Sequence, residues 1–226
     1  MTPMDLDRRT VLRAALAAAG TATLAACSTG RPAPERPDRT DETSTTVDDD
    51  SAPRTLLIFF SRAGENYHRG GRIDLETGNT AVLAQMIADR SGCDVHEVLA
   101  ADPYPRGYDA TVDRNTREQQ ADARPAVDGD LPDLSGYDVV LLASPIWNVR
   151  PPMIMQTVAE ALDLSGRTVH PVVTYAVSGL GDAADVYARS CAGATIGRGL
   201  AVQGEDVARA GPDVDTWLAA TDLAAP

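Results

Sequence analysis

The stretch LLIFFSRAGENYHRGGRIDLETGNT, residues 56–80, decides the fold. It opens with the apolar run 56–60, which is typical of a strand buried on both faces of a parallel sheet. It ends on Gly78-Asn79-Thr80, directly before AVLAQMIADR, in which apolar residues recur at helical spacing. The order of strand, polar loop and helix start is that of a phosphate site, because the free N–H groups and positive dipole of a helix start attract an anion.

A phosphorylated ligand is therefore the first hypothesis for this stretch, and it has a simpler alternative. Ser61 and Thr80 would also be ordinary residues at a strand end and at a helix N-cap. Neither GxxxxGK[ST] nor GxGxxG occurs in the stretch, so the usual nucleotide-binding motifs are absent. The rest of the chain has to decide between the two interpretations.

The beginning of the chain predicts export. Arg8-Arg9 precede the alanine-rich stretch 14–26, which is too short to span a membrane and stay there. The residues LAAC that end at Cys27 resemble a bacterial lipobox, whose cysteine becomes the lipidated first residue after cleavage. We expect residues 1–26 to be a twin-arginine export signal and Cys27 to carry the lipid, with an amphipathic cytoplasmic helix as the alternative.

The composition changes after residue 53. Residues 27–53 consist mostly of Ser, Thr, Pro, Arg and Asp, which predicts a disordered tether. Residues 54–226 have the length and apolar content of one domain. The expected protein is thus exported and held on the outer surface of the cell membrane, with its lipid anchor as the only membrane contact.

Charge and residue types exclude several functions. A formal net charge of -13 makes nucleic acid an unsuitable partner. All 20 basic residues are arginine, so a lysine nucleophile or Schiff base is excluded. Cys93 and Cys191 are too few for a disulfide framework, and buried free thiols are favoured over a single disulfide. His68, His96 and His170 show no ligand spacing, so we predict no metal site.

Apolar and polar segments alternate along the rest of the chain. The patterns predict strands, helices and a surface segment in this order: an edge strand Asp94–Leu99, a polar segment 103–132 with a helix on the surface, a buried strand Tyr137–Ala143, a helix Met153–Leu162, a strand Thr168–Thr174, a helix Asp182–Cys191, a glycine-interrupted strand Thr195–Val202 and a helix Pro212–Ala220. Five strands alternating with helices predict a parallel α/β sheet. Ligands of such sheets bind at the carboxyl ends of the strands, so the loops 61–80, 144–151 and 174–181 are expected to converge.

Several blocks of the chain resemble one family. FFSRAGEN at 59–66, GNTAVLAQMIA at 78–88, ADPYP at 101–105, DVVLLASPIW at 138–147 and TYAVSGLG at 174–181 are similar, in this order, to flavodoxin-like proteins with an extended phosphate loop. The resemblance implies a doubly wound, five-stranded parallel sheet of strand order 2-1-3-4-5. It also implies FMN as a non-covalently bound cofactor.

The resemblance assigns fourteen residues to FMN. The segment that holds the phosphate matches Ser61, Arg62, Gly78, Asn79 and Thr80. The loop beside the isoalloxazine ring matches Ser144, Pro145, Ile146, Trp147 and Asn148, and the loop at its pyrimidine edge matches Thr174, Tyr175, Ser178 and Gly179. Trp147 offers a flat surface to the ring, although it would also serve as a core residue that closes a strand end.

The predicted function is redox chemistry, with two forms left open. Asn148 stands where many relatives have a second tryptophan, which would open the ring to a substrate that Asn148 and Arg150 would line. An electron carrier with an unknown redox partner and a reductase of a small, quinone-like substrate are both compatible with the sequence, and no catalytic residue is assigned. A cofactor-free binding lipoprotein of the same fold is the alternative. A response-regulator receiver would need acidic residues after the strands and a lysine, and a serine hydrolase would need GxSxG.

Overall fold

The structure, a computed structural model, describes residues 53–225. The predicted export signal 1–26, Cys27 and the predicted tether up to residue 52 lie outside the described residues and stay predictions. None of the helices within 53–225 combines the length and the apolar composition that a membrane crossing requires.

Strands and helices alternate along the described chain. The strands are β1 (Thr55–Phe59), β2 (Gly64–His68), β3 (Gly71–Leu75), β4 (Asp94–Glu97), β5 (Leu99–Ala100), β6 (Val127–Asp128), β7 (Val139–Pro145), β8 (Thr168–Tyr175), β9 (Thr195–Ile196) and β10 (Leu200–Gln203). The helices are α1 (Asn79–Ser91), α2 (Tyr108–Gln120), α3 (Met153–Ala161), α4 (Ala183–Ser190) and α5 (Gly211–Ala220), and a 3₁₀ helix covers Gly204–Arg209.

The central sheet is parallel and has the predicted order. Its strands lie in the sequence β4-β1-β7-β8-β10, which is order 2-1-3-4-5 when only these strands are counted. The connections run in one direction from β1 to β4 and in the other from β7 to β10. The carboxyl ends of β1 and β7, on either side of this reversal, are therefore where a ligand site is expected.

An apolar layer covers each face of the sheet, and successive side chains of β1 point alternately into the two layers. Leu56 and Ile58 belong to the core beneath α3 and α4, whereas Leu57 and Phe59 belong to the core beneath α1 and α5. Leu57 and Ile58 are 0% exposed, so burying each contributes about 2 kcal/mol. The unbroken apolar run noted in the sequence is thus the consequence of burial on both faces.

The fifth strand is interrupted, as its glycines predict. β9 pairs with the start of β8 and β10 with its end, so both extend the same edge. Between them, a Cβ on Gly197 would lie 2.4 Å from the ring of His170, which explains why only glycine is accommodated there. Pro171 lies within β8, opposite Leu142 of β7, so the strand continues through the proline.

The loop 61–80 differs from the expected irregular loop, because it contains a β-hairpin. β2 and β3 pair antiparallel around a tight turn at Arg69-Gly70, with φ angles of 48° and 84°. The strands GENYH and GRIDL carry few apolar residues, and the first is mostly half-buried whereas the second is mostly exposed, so they lack the alternation that reveals a strand. The dipeptide Gly70-Gly71 was the available signal, since glycines favour the primed turns of hairpins.

The two cysteines of the domain are free thiols, as favoured from the sequence. Cys191 is buried and Cys93 is half-buried. Burial raises the pKa of both thiols, that of Cys191 to about 12. Both side chains are therefore protonated packing residues near neutral pH.

Candidate functional site

A cavity of about 400 Å³ lies where the three predicted loops meet. It is bounded by residues that follow the carboxyl ends of β1, β7 and β8, by the start of α1 and by the 3₁₀ helix after β10. One side of α2 and strand β2 complete its wall. Its size is that of a small-molecule site.

The structure brings ten of the fourteen predicted residues to this cavity: Ser61, Arg62, Asn79, Thr80, Pro145, Ile146, Trp147, Asn148, Thr174 and Tyr175. It does not place Gly78, Ser144, Ser178 or Gly179 in the lining. Ser144 is 0% exposed, and its Oγ has no hydrogen-bond partner within the described chain. Whether the residues of either group contact FMN stays a prediction.

The start of α1 presents free hydrogen-bond donors. The backbone N–H groups of Asn79 and Thr80 donate to no other group within residues 53–225. Ser61 Oγ accepts the N–H of Ala81 at 3.1 Å, and the hydroxyls of Thr80 and Thr174 lie 2.7 Å apart. Ser61 therefore both follows the end of β1 and lines the cavity. Thr80 is not the N-cap of α1 as the alternative interpretation expected, because Gly78 holds that position.

Gly78 lets the helix start lie directly against the end of β1. A Cβ on Gly78 would lie 2.4 Å from Ser61 Oγ and 2.5 Å from the carbonyl oxygen of Arg62. Gly204 does the same on the other side, since its Cβ would lie 2.4 Å from Asn79 Nδ2. The two glycines thus let the start of α1 pack closely against its neighbours without placing side chains of their own in the cavity.

Arg62 lines the cavity, but its guanidinium is largely occupied elsewhere. Nη1 donates to the carbonyl oxygens of Pro105 and Arg106, both at 3.0 Å, and Nη2 donates to that of Glu65. The remaining Nε is buried and has no partner in the described part of the chain. Burial lowers the pKa of Arg62, partly offset by Glu65. Arg62 therefore holds the loop before α2 in place. The hydrogen-bond donors that remain free to face the cavity are mainly neutral groups.

The loop after β7 is a strained turn held from two sides. Asn148 and Val149 have φ angles of 51° and 63°, between the paired backbones of Trp147 and Arg150. A left-handed conformation is costly for a β-branched residue such as Val149. The Val149 carbonyl accepts the N–H of Asp182 at 2.7 Å.

Gly181 is needed for that contact and explains part of the TYAVSGLG block. A Cβ on Gly181 would lie 2.1 Å from the Val149 carbonyl oxygen. From the other side, Gln119 Nε2 donates to the Trp147 carbonyl at 3.1 Å. The turn is therefore positioned jointly by α2 and by the loop before α4.

Trp147 packs against core aromatic residues and also borders the cavity. Its ring packs edge-to-face against Phe60 and Tyr104, with centroid distances of 5.7 and 5.1 Å. The same side chain lines the cavity. Asn148 also lines the cavity, whereas Arg150 does not, and the expectation that both line a substrate pocket stays a prediction.

Sequence reasoning missed the cavity wall formed by α2 and the hairpin. The missed residues are Asn66, Tyr67, Tyr108, Thr111, Val112, Asn115, Thr116, Ala176, Gly204 and Glu205. The available signal was a polar stripe at helical spacing, formed by Tyr108, Thr111, Asn115 and Gln119. It was missed because the sequence was searched for apolar stripes.

Within residues 53–225, no cluster of three or more His, Cys, Asp or Glu side chains is arranged to hold a metal ion.

Comparison with known families gives one match. A family model described as flavodoxin matches residues 75–220, which is more than half of the chain. None of the curated proteins matches the sequence.

Solved structures of bacterial proteins share the fold. A candidate flavoprotein of Bacteroides uniformis ATCC 8492 is 25% identical, with a TM-score of 0.61 over 75% of this chain and 99% of its own. A candidate flavoprotein of Bacteroides eggerthii DSM 20697 is 24% identical, with a TM-score of 0.58 over 74% of this chain and 96% of its own.

A third similar structure was determined with a ligand. It is a flavoprotein of Lactobacillus acidophilus NCFM in complex with FMN, 20% identical, with a TM-score of 0.56 over 74% of this chain and 99% of its own. At such identities the likeness shows the α/β fold and its parallel sheet.

Proposed function

Because the chain belongs to the flavodoxin family, we propose that its cavity binds FMN non-covalently for electron transfer or for the reduction of a small, quinone-like substrate. One observation carries the proposal. A cavity of suitable size lies at the carboxyl ends of the strands, with free N–H groups at the start of α1 and the ring of Trp147 in its lining.

The phosphate end fits a phosphorylated cofactor in an acidic protein. The N–H groups of Asn79 and Thr80 and the hydroxyl of Ser61 are neutral donors or donor-acceptors, and the dipole of α1 adds a local positive potential. These groups act at contact distance, whereas most surface carboxylates are distant and screened. Glu205 borders the cavity, and its carboxylate accepts the N–H of Arg69 at 3.1 Å. The site therefore needs no cluster of basic residues.

The protein contributes position and environment, and the bound flavin contributes the redox chemistry. Trp147, Pro145 and Ile146 offer an apolar surface at one wall, and Thr174 and Tyr175 border the next strand end. The strained turn at Asn148 and Val149 is held by hydrogen bonds from the chain itself, so we expect little of the binding free energy to be needed to order it.

The first experiment is an FMN titration followed by visible absorbance and flavin fluorescence. We expect flavin bands with quenched fluorescence in the wild-type protein. Thr80→Asp should reduce the affinity on the order of 100-fold or more, because a carboxylate would stand beside the phosphate. The matched control is Thr216→Asp, which adds the same charge at an exposed position of α5 and should bind like the wild type.

The alternative function gives a different result in the same titration. A wild-type protein that is purified colourless and gains no flavin from added FMN would be the cofactor-free binding lipoprotein. If FMN binds, FMN-dependent oxidation of NAD(P)H by quinones identifies a reductase, and the absence of turnover identifies an electron carrier.

We further propose export and lipid anchoring from Arg8-Arg9 and Cys27. The wild-type protein should partition into the detergent phase after expression in a bacterial host with lipoprotein processing. Cys27→Ala should partition into the aqueous phase, since it lacks the thiol that receives the lipid. Equal partition of the two proteins would contradict the anchor.

A further inference from the structure

The cavity-facing side of α2 is polar rather than apolar. Thr111 and Asn115 are only 4% and 3% exposed, and Tyr108, Val112 and Thr116 line the cavity with them. The Thr111 hydroxyl donates to backbone carbonyls of Pro105 and Gly107. Among these residues, Asn115 is the one whose side chain ends in an amide, and a hydrogen bond from a neighbouring side chain orients this amide.

A chain of hydrogen-bonded side-chain amides determines which atom of the Asn115 amide is the oxygen Oδ1 and which is the nitrogen Nδ2. The Trp147 carbonyl can only accept a hydrogen bond, so the group of Gln119 that faces it at 3.1 Å is the Nε2 amino group. This amino group also faces Asn115 at 3.3 Å, so the group of Asn115 that receives it is Oδ1. Asn148 Nδ2 completes this chain of amides by donating to Gln119 Oε1 at 2.9 Å.

The amino end of Asn115 is consequently left for the cavity. Its Nδ2 donates to no other group in the part of the chain that the structure describes. A side chain that is 3% exposed and lines a cavity has its remaining donors directed at whatever fills that cavity. A buried donor that stays unpaired costs free energy. A ligand that places a hydrogen-bond acceptor next to Asn115 Nδ2 is therefore bound more tightly than one that does not.

We propose that Asn115 recognises a carbonyl oxygen of the molecule bound in the cavity, and that Gln119 is a positioning residue that orients this amide through the Trp147 carbonyl. The proposal rests on the proposed function. A neutral acceptor suits this part of the cavity wall, because the amide donor carries no charge of its own. Two molecules would supply the carbonyl: the flavin ring or a quinone-like substrate.

The decisive experiment measures, by NMR of the wild-type protein, the chemical shifts of the Asn115 side-chain NH₂ protons. FMN is added first, and benzoquinone is added afterwards. A downfield shift of the NH₂ protons on the first addition assigns the carbonyl to the flavin, and a shift only on the second assigns it to the substrate. No shift on either addition, with FMN bound, overturns the proposal and leaves the proposed function standing.

Asn115→Asp tests the same contact by affinity. The substitution is isosteric: one oxygen still accepts from Gln119, while the group toward the cavity changes from a donor to an acceptor. Above the pKa of the new carboxyl, we expect the affinity for the carbonyl ligand to fall about 10-fold or more. As the pH falls through that pKa, the protonated carboxyl becomes a donor, and the ratio of variant to wild-type affinity should recover.

Two further variants separate the proposed contact from a general loss of structure. Gln119→Met cannot donate to the Trp147 carbonyl at any pH and should weaken the same ligand, without the recovery at low pH. Gln85→Met makes the same change at an exposed position of α1 and should leave the affinity unchanged. An Asn115→Asp affinity ratio that is independent of pH would overturn the proposal. A wild-type protein that binds no FMN would overturn the proposed function, and the benzoquinone titration of the NH₂ resonance would then decide the proposal.

Discussion

At the scale of single residues, glycines determine how closely the helix start approaches the strand end. Gly78 and Gly107 are both N-cap residues with extended backbones, at φ -68° and φ -75°. They differ in surroundings, because a Cβ on Gly78 would meet Ser61 and Arg62, whereas a Cβ on Gly107 would meet nothing within 4 Å. The conformation of Gly78 therefore does not require glycine, but its packing does.

Gly78→Ala should lower the free energy of unfolding by about 1–3 kcal/mol, because the start of α1 must move away from the end of β1. Gly107→Ala is the matched control and should change it by no more than about 0.5 kcal/mol. Urea denaturation of both variants measures the two values. Equal effects would mean that α1 does not lie against Ser61 as described.

At the scale of elements, the hairpin of β2 and β3 is held to α2 by charge pairs. Arg72 donates to both carboxylate oxygens of Asp109 at 2.8 and 2.6 Å and stacks on Tyr108 with its guanidinium 4.5 Å from the ring centroid. Glu65 Oε2 accepts the N–H of Tyr108 at 2.9 Å and so caps α2. At the turn, Arg69 contacts Glu205, which borders the cavity, and Asp206.

Arg72→Gln should loosen the hairpin without unfolding the domain. We expect hydrogen exchange of the amides in residues 64–75 to accelerate several-fold, because the bidentate pair and the stacking contact are lost. Arg117→Gln, on the exposed side of α2, is the control and should leave these amides unchanged. Unchanged exchange in Arg72→Gln would show that the remaining contacts, such as the Arg106–Asp74 ion pair at 2.8 Å, hold the hairpin without Arg72.

The same contact gives the hairpin a pH dependence with a defined sign. The hydrogen bond from Arg72 lowers the pKa of Asp109 below its usual range. The stabilising contribution is therefore present above the ordinary pKa of an aspartate and is lost as the pH falls through the lowered pKa. Acidification should accelerate exchange in the hairpin of the wild type more than in Arg72→Gln.

At the scale of the whole molecule, the net charge of -13 acts on any redox centre that the protein holds. Negative surroundings disfavour the gain of an electron, so the midpoint potential of bound FMN should lie below that of free FMN. Raising the ionic strength should move the potential back toward that of free FMN, because exposed charges are screened. Spectroelectrochemistry at two salt concentrations measures both effects, and a midpoint above that of free FMN contradicts the prediction.

Much of the architecture follows from local patterns. The apolar runs at 56–60 and 137–143 and the helical spacing after Thr80 are sufficient for the parallel sheet, because burial on both faces requires such runs. The hairpin at 64–75 was missed because its strands are polar and gain their stability from ion pairs with α2. No periodicity reveals such pairs, since Arg72 and Asp109 lie 37 positions apart.

The sequence by itself determined the parallel sheet and the loops that meet at the cavity through its periodicity, and the strand order through the resemblance of its ordered motifs to flavodoxin-like proteins. Only the tertiary structure decided which residues face the cavity. It placed Ser144 in the core and Ser178 outside the lining, and it brought Asn115 and Gln119 of α2 to Trp147. These outcomes depend on the orientation of one element against another, and that orientation is set by packing between residues distant in sequence.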